Sequence, residues 1–379
     1  MKICLVGGIY QKGGARNQKL KITPETTLEE GFKAAGHAVT TLSHYDPIPA
    51  EQFDLVHVHH LSFGATRAAC DATTTPFAFT AHFAGQMDGA VVPTHRRIAM
   101  DYVLSRADGI VSLAENEAAY QREHNSIDGA VQATIANGIN PDVYTYERKN
   151  IAGRDGRWRI LFAAQLIPIK KCDLLLRAVA LLPFDIEVSL AYHNQSVEQE
   201  LRDLAAQLGI AGRVNFLGKH RPEQLAERFH SNDLLVLPSQ TESLPSVVTE
   251  AMLCGLPFVA RTVGGVVDQA GGYGVLFEQA EPGVLAAAIR KMIENYPMHA
   301  ARTREMSDYA RNKFTIQAMV SRHLAFYEKL VGKRARRRDV GLPGVDAAMR
   351  IAMRVVGQNP PAKSVRPNVA PVLDAGGSR

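Results

Sequence analysis

Short apolar runs alternate with amphipathic stretches along the first 150 residues. Two of the intervening stretches, Thr27–Ala35 and Thr94–Arg106, have the 3.6-residue spacing of helices. The runs that have the length of buried strands are Lys2–Val6, Ala38–Leu42, Phe53–Val58, Phe77–Thr80, Gly109–Leu113 and Ala133–Ala136. Strands this apolar are typical of parallel sheets covered on both faces, so the pattern predicts a doubly wound α/β domain.

The same alternation resumes after a polar, glycine-containing stretch, Asn150–Arg157. The predicted strands are Trp158–Ala163, Ile186–Ala191, Arg213–Leu217, Asp233–Leu237, Pro257–Ala260 and Val275–Phe277. The predicted helices are Asp173–Leu182, Val197–Leu208, Pro222–His230 and Pro282–Glu294. We therefore predict two Rossmann-like domains, residues 1–150 and 151–315, whose ligand-binding loops face a central cleft.

The last part of the chain changes in character. Ile316–Leu330 has the pattern of an amphipathic helix, and we expect residues 316–332 to pack back on the N-terminal domain. We expect residues 333–379 to form a basic, partly disordered tail, with one candidate helix at Val345–Val356. That helix would suit an anionic membrane surface, and a solvated tail with a transient helix is the alternative.

The charge distribution separates the tail from the rest of the chain. The tail holds ten Lys or Arg and three Asp, a net charge of +7, which leaves residues 1–332 at −2 out of a total of +5. Nucleic-acid binding by that larger part therefore gains no support. No apolar run approaches the roughly 18 to 20 residues that cross a bilayer, so we expect a cytoplasmic protein, with peripheral membrane contact through its tail as an alternative. The four cysteines are far apart, which disfavours zinc or disulfide frameworks.

The segment from Asn232 to Asp268 carries the candidate chemistry. It runs strand, loop, helix, Gly-Leu-Pro stop, strand and Gly-Gly turn. The loop carries Glu242, and the helix that starts near Pro245 carries Glu250 in its second turn. A helix N-terminus favours a phosphate, and carboxylates accept hydrogen bonds from vicinal hydroxyls. Two glutamates eight residues apart also occur on ordinary surface helices, but this helix is otherwise apolar.

Residues 241–268, TESLPSVVTEAMLCGLPFVARTVGGVVD, resemble the Glu-x7-Glu region of the retaining, GT-B-fold glycosyltransferases of family 4, also called glycosyl transferases group 1. Three further stretches match in order and spacing: ANGIN at 136–140, AQLIPIKKCDLLLRA at 164–178 and RVNFLG at 213–218. The resemblance covers residues 1–330 and implies transfer of a sugar from a nucleoside diphosphate-sugar to a hydroxyl acceptor.

The resemblance also implies roles for individual residues. Glu250 would contact the nucleotide ribose, Glu242 the donor sugar, and Lys170 the pyrophosphate, whose negative charge grows as the glycosidic bond breaks. His82, in FTAHF, matches the histidine that the family places near the donor sugar. The remaining donor-binding candidates are Gln165, Ser243, Leu244, Pro245, Ser246, Val247, Gly13 and Gly14. We take Glu242, Lys170 and His82 as the catalytic candidates; no cofactor or metal is expected, because the family needs no bound metal.

One residue departs from the family pattern. Gln165 stands where the family usually has an arginine, five residues before Lys170. Losing a cation from a phosphate clamp weakens donor binding or leaving-group stabilisation, unless Lys171 or Arg16 compensates.

A group of histidines, His57, His59 and His60, invites a metal site, since two of them share a strand face. No carboxylate accompanies them at ligand spacing, so we expect them instead to flank the acceptor pocket or to pack at the sheet edge.

The sequence leaves two alternatives to transferase activity open. A nucleotide-sugar isomerase such as a 2-epimerase shares the two-domain fold but needs paired acid and base groups that the sequence does not identify. A non-catalytic nucleotide-sugar-binding relative would explain Gln165. The donor nucleotide, sugar, acceptor and oligomeric state are open, and bacterial polysaccharide or glycolipid assembly is the commonest setting of the family.

Overall fold

Two six-stranded parallel sheets with helices between their strands make up the fold. In this computed structural model the described residues are 1–10, 23–71, 75–82, 94–125, 127, 129–147, 155–194 and 196–332. The predicted α/β architecture with two doubly wound sheets is confirmed. The boundary that we predicted near residue 150 and the basic tail 333–379 lie outside the described residues, so the domain limits stay a prediction.

The first sheet has the strand order β2-β1-β3-β4-β5-β6. Its strands are β1 (Lys2–Val6), β2 (Ala38–Leu42), β3 (Leu55–His59), β4 (Phe77–Thr80), β5 (Gly109–Ser112) and β6 (Val131–Thr134). Its helices are α1 (Pro24–Ala34), α2 (Phe63–Asp71), α3 (Thr94–Arg106) and α4 (Glu115–His124). The last strand was wrongly placed at Ala133–Ala136, because its exposed Gln132 and Thr134 alternate with less exposed neighbours and leave no continuous apolar run.

The predicted start of α1 at Thr27 was also wrong. The helix begins at Pro24, and the Thr23 hydroxyl accepts a hydrogen bond from the Thr26 amide. Proline suits the first helical position because the amide it lacks has no partner within the helix there. As a result Glu25 lies in the first turn of α1, beside the carboxyl end of β1.

The second sheet has the order β12-β11-β10-β7-β8-β9. Its strands are β7 (Arg157–Ala163), β8 (Asp185–Ala191), β9 (Val214–Gly218), β10 (Leu234–Leu237), β11 (Phe258–Arg261) and β12 (Val275–Phe277). The helices that follow are α5 (Cys172–Ala180), α6 (Glu198–Gln207), α7 (Pro222–Ser231), α8 (Ser246–Cys254), α9 (Val266–Ala270), α10 (Pro282–Glu294), α11 (Tyr296–Ala301), α12 (Thr303–Lys313) and α13 (Ile316–Glu328).

Each sheet has one point at which the strand order reverses. In the first sheet the chain goes from β1 to β2 on one side and then returns to β3 on the other. In the second sheet it goes from β7 to β8 and β9, and then returns to β10. Ligands bind outside the carboxyl ends of the strands at such a reversal, because the connecting helices diverge to opposite faces and leave a crevice.

The final helix, α13, lies against the first sheet. Its Tyr327 is fully buried in a cluster with Phe32 of α1, Leu5 and Leu55. The Tyr327 hydroxyl lies 2.5 Å from Nδ1 of His57, and Ile139 and Thr315 form a parallel bridge at the start of this helix. None of the helices that the structure describes is both long and apolar enough to cross a membrane.

Candidate active site

The loops after β7 and β10 meet at the reversal point of the second sheet. Lys170 ends a single 3₁₀ turn after β7, and Glu242 lies in the loop after β10. The Lys170 Nζ is 2.6 Å from Glu242 Oε1, and the two side chains are 22% and 9% exposed. The Gln240 amide donates a hydrogen bond of 2.8 Å to the Ile169 carbonyl. The two loops are therefore joined through both backbone and side chains.

The Gly-Gly turn after β11 supports the backbone of Glu242. Gly264 has a φ of +47°, and a Cβ on it would overlap the Glu242 carbonyl oxygen. The Gly265 amide donates to the Ser243 carbonyl at 2.7 Å. Only glycine permits this approach, so the turn fixes the position of the loop that carries Glu242.

Three hydroxyl groups on this loop are buried without a hydrogen-bond partner: those of Ser239, Thr241 and Ser243. A buried hydroxyl that is left unpaired costs about 1–3 kcal/mol. Unsatisfied polar groups of this kind are rare in folded proteins and concentrate at functional sites. These three hydroxyls in the loop around Glu242 do not stabilise the fold, and they mark the loop as a candidate binding site.

Helix α8 begins directly after this loop. Pro245 is its N-cap residue and makes no side-chain hydrogen bond to the first amides. The Gln269 side-chain amide donates to the Pro245 carbonyl at 2.9 Å and to the Thr249 hydroxyl at 2.7 Å, which fixes the first turn. The helix N-terminus that the sequence assigned to phosphate, Leu244–Val247, thus lies next to the pair of Lys170 and Glu242.

Glu250 lies one turn further along α8 and is partly buried. Burial raises the pKa of the Glu250 carboxyl to about 7, and a hydrogen bond from Tyr144 opposes that rise. Tyr144 comes from the segment that follows β6 and packs with Phe229 and Cys254. The sequence identified Glu250 but not Tyr144, although Tyr144 lies only four residues after the end of the ANGIN turn.

Two family models match the chain in succession. Residues 44–143 match the model described as Glycosyltransferase Family 4, and residues 145–313 match the model described as Glycosyl transferases group 1. A D-inositol 3-phosphate glycosyltransferase of Geodermatophilus obscurus is 30% identical over 304 residues, which cover 73% of this chain and 68% of that protein. The chain belongs to the family 4 glycosyltransferases of the GT-B fold.

Solved structures support the same fold for this glycosyltransferase. A sucrose-phosphate synthase from Thermosynechococcus elongatus superposes with a TM-score of 0.72 at 18% identity, covering 87% of this chain and 99% of that one. Anabaena HepE, solved in complex with UDP-glucose, superposes with a TM-score of 0.66 at 20% identity and covers 87% of this chain and all (100%) of that one.

The first sheet of this glycosyltransferase presents a cluster of histidines at the carboxyl ends of β3 and β4. His82 follows β4, and its Nε2 lies 3.4 Å from Nδ1 of His59. The His60 ring stacks on the His82 ring with centroids 4.0 Å apart. His60 and His82 both have positive φ angles, 63° and 54°, which few non-glycine residues adopt, and strained residues of this kind cluster at active sites. The candidate His82 thus has two histidine neighbours.

We expected the histidines of β3 either to flank the acceptor pocket or to pack at the sheet edge. The second expectation is wrong. β3 is an interior strand, and His57 is fully buried between the Tyr327 hydroxyl and the Thr80 hydroxyl, which is 2.8 Å from its Nε2. Burial lowers the pKa of His59 to about 4 and that of His57 well below its usual range. Among the described residues no three potential ligands are grouped around a metal position, and the absence of a cofactor stays a prediction.

The two sheets touch through the start of α4. The Asn116 amide donates to Asp268 Oδ2 at 3.0 Å, and the Asn116 side-chain amide donates to the Gly264 carbonyl. Gly264 is the residue that contacts the backbone of Glu242. Asn116 was not predicted from the sequence, because α4 is too polar to show a clear helical pattern.

The remaining donor-site candidates lie in the loop after β7 or outside the described residues. Gln165 is half-buried directly after β7, and its carbonyl accepts a hydrogen bond from Ile167. Lys171, which we considered as a substitute for the missing arginine, has a φ of 51° and lines a groove between α5 and α6 with Arg177. Gly13, Gly14 and Arg16 lie outside the described residues.

Proposed function

We propose that this glycosyltransferase transfers a sugar from a nucleoside diphosphate-sugar to a hydroxyl acceptor with retention of the anomeric configuration. The observation that carries the proposal is the pair of Lys170 and Glu242 beside the N-terminus of α8. A cation and a helix N-terminus suit a pyrophosphate, and a carboxylate suits sugar hydroxyls. All three meet at the reversal point of one parallel sheet, where such folds bind nucleotides.

The catalytic contribution of these groups follows from the charge that develops in the reaction. As the glycosidic bond breaks, its electron pair passes to the departing diphosphate, and Lys170 with the α8 amides stabilises that charge. The acceptor hydroxyl attacks from the same face, and the departing phosphate takes its proton. This sequence leaves the configuration unchanged and needs no covalent nucleophile on the protein.

The first donor and acceptor to test are the ones that similar proteins were solved with or are named for. UDP-glucose is the first donor to test, because HepE was solved with it. D-inositol 3-phosphate is the first acceptor to test, because the 30% identical relative is named for it. No finding favours the isomerase that the sequence left open, and the departure at Gln165 keeps a binding protein with little turnover as the second candidate.

A thermal-shift screen against UDP-, GDP- and ADP-sugars tests donor recognition first. A ligand at 100 times its dissociation constant adds about 2.7 kcal/mol of stability. Glu242→Ala should lose most of the shift that depends on the sugar. Asp185→Ala serves as a control, because Asp185 is 48% exposed and pairs with Arg157 at the opposite, amino end of the second sheet. An unchanged response of Glu242→Ala would refute the assignment.

Turnover is then measured with the selected donor, carrying a labelled sugar, and a panel of hydroxyl acceptors. Label in a new glycoside supports transfer, and the coupling constant of its anomeric proton reports retention or inversion. Label that appears only in an isomerised donor supports the isomerase. Binding without product from any acceptor, and without release of free nucleotide, supports the non-catalytic relative.

A further inference from the structure

The reversal point of the first sheet carries its own polar site, which lies between the ends of β1 and β3. His60 directly follows β3, and Glu25 lies in the first turn of the helix that follows β1. The His60 Nε2 is 3.2 Å from Glu25 Oε1. The two side chains differ in accessibility, because Glu25 is 6% exposed and His60 is 49% exposed. A buried carboxylate therefore holds a histidine that solutes can reach.

The carboxylate is fixed by several neighbours. Burial by itself raises the pKa of Glu25, but the hydrogen bond to His60 and the nearby His59 outweigh burial and hold that pKa well below its usual range. The Glu25 backbone carbonyl accepts a hydrogen bond of 3.0 Å from the Tyr10 hydroxyl. Gly7 approaches from β1, where an added Cβ would contact Glu25 Cγ at 3.5 Å.

The histidine is held from two other directions. The His60 amide donates to the Thr80 carbonyl at 2.9 Å, and its ring stacks on His82 at an interplanar angle of 20°. Its backbone lies in the left-handed region, with a φ of 63°, a conformation that costs a non-glycine residue free energy. Strain of this kind, held by surrounding contacts, is typical of residues whose position matters for binding.

The geometry determines which ring atom of His60 faces a ligand. Because the carboxylate of Glu25 can only accept, the proton of Nε2 is directed to it, and Nδ1 is the ring nitrogen left for a ligand. The natural partner of Nδ1 is a hydroxyl group, and the adjacent ionised Glu25 disfavours an anion at this position.

The carboxyl ends of both sheets lie at one common region of the fold. Asn116, just after β5 of the first sheet, contacts Gly264 after β11 of the second sheet. β4 and β3 are the next strands after β5, so His82 and His60 lie about 5 and 10 Å along the same edge. The site at Glu25 and His60 therefore lies on the same edge as the contact with the donor loops.

We propose that Glu25 and His60 form the acceptor site, in which His60 Nδ1 makes a hydrogen bond with a hydroxyl of a neutral polyol portion of the acceptor. Glu25 acts as the positioning residue that fixes the ring. This inference rests on the proposed transferase function, and it adds the location and the chemical class of the acceptor.

The test compares acceptor use with donor binding in the full chain. UDP-glucose is the donor, and UDP release is measured with water alone and with myo-inositol, a neutral polyol. We expect His60→Ala and Glu25→Gln to lower kcat/KM for the polyol by about tenfold or more, since each removes or misaligns one charge-assisted hydrogen bond. The dissociation constant of UDP, measured by calorimetry, should change less than about twofold, because neither residue contacts the loops after β7 and β10. UDP is used for this measurement because His60 stacks on His82, the candidate near the donor sugar.

Two further variants separate this role from a structural one. Glu29→Gln is the matched control, because Glu29 is an equally buried carboxylate on α1 that pairs with Lys33 at 2.7 Å. His60→Gln retains an acceptor oxygen and should keep more activity than His60→Ala. Unchanged polyol transfer in the His60 and Glu25 variants, an equal loss in Glu29→Gln, or a parallel loss of UDP affinity would overturn the inference. If the unaltered chain turns over no nucleotide-sugar at all, the proposed function fails first and this inference fails with it.

Discussion

Lys170 and Glu242, 72 positions apart in the chain, form an ion pair with 2.6 Å between Nζ and Oε1. The sequence assigned Lys170 to the pyrophosphate and Glu242 to the sugar of one donor. Their direct contact means that the two halves of donor recognition are coupled. A donor that draws Lys170 toward its phosphates also changes the electrostatic surroundings of Glu242.

The coupling predicts that a second substitution at this pair restores the stability that the first one removes but does not restore donor binding. Lys170→Met leaves the Glu242 carboxylate buried without its cation, and we expect it to lower the free energy of unfolding by about 1–3 kcal/mol. Adding Glu242→Gln removes that buried charge and should recover most of the stability. Donor binding should not recover, because both recognition groups are then missing. Denaturant unfolding and calorimetry with UDP-glucose measure the two quantities separately.

The matched comparison uses the exposed pair of Arg157 and Asp185, each 48% exposed, whose Arg157→Met and double variants should differ in stability by less than about 1 kcal/mol. If the double variant at Lys170 and Glu242 stays as unstable as Lys170→Met, the pair is not coupled as described.

The strands were the most predictable part of the fold. A strand buried on both faces must be apolar throughout, so runs such as Leu234–Leu237 stand out in the sequence. Helices α2 and α4 were not predicted, because small and polar residues on them blur the helical period. Strand β6 was misplaced because it lies at an edge of its sheet and is only half-buried.

The candidate site could be predicted only where its residues are close together in the sequence. The loop and helix from Glu242 to Glu250 form one local unit, so its sequence indicates its use. The contacts of Glu25 with His60 and of Asn116 with Gly264 depend on which strands lie side by side. Strand order follows from the packing of the whole sheet, and no local pattern specifies it.

The raised pKa of Glu250 predicts that nucleotide binding depends on pH. An ionised carboxylate accepts hydrogen bonds from both ribose hydroxyls, whereas a protonated one accepts less well. With a pKa of about 7, its ionised fraction rises from roughly a tenth at pH 6 to nine tenths at pH 8. UDP affinity should therefore rise several-fold over this range. In Glu250→Gln the same titration should be weak and nearly flat, and an equal slope in both proteins would exclude Glu250 as its origin.

The same carboxyl predicts a change in stability with the opposite sign. The folded state keeps its proton up to about pH 7, whereas the unfolded state loses it near 4.5. The folded state binds more protons between these values, so this contribution to stability is lost as the pH rises from about 4.5 through 7. Glu250→Gln should gain up to about 3 kcal/mol relative to the unaltered chain at pH 8 and little at pH 4. Thermal unfolding of both proteins at pH 4 and pH 8 measures this difference in stability.

Asn116 is expected to affect sugar recognition more than nucleotide recognition. Its side chain holds Gly264, and Gly264 supports the backbone of Glu242. Asn116→Ala should weaken UDP-glucose binding about tenfold, since one hydrogen bond that positions the loop is lost, and UDP binding less than about twofold. Tyr146→Phe removes another hydrogen bond, 3.2 Å to Thr303, at a place that does not contact the Glu242 loop. A similar loss of UDP and UDP-glucose affinity in Asn116→Ala would indicate a general packing role.

Gln165 defines the last prediction, since it replaces the charge that the family usually places before Lys170. An arginine there donates two parallel hydrogen bonds to a phosphate and carries the charge that the departing diphosphate requires. Gln165→Arg should therefore raise kcat with UDP-glucose by about tenfold, if the clamp at Lys170 is short of one cation. Lys171→Gln is the companion variant: its side chain lines the groove between α5 and α6, so we expect less than about a twofold change in donor affinity. A loss in Lys171→Gln comparable to that in Lys170→Met, together with no gain in Gln165→Arg, would mean that Lys171 already supplies the missing charge.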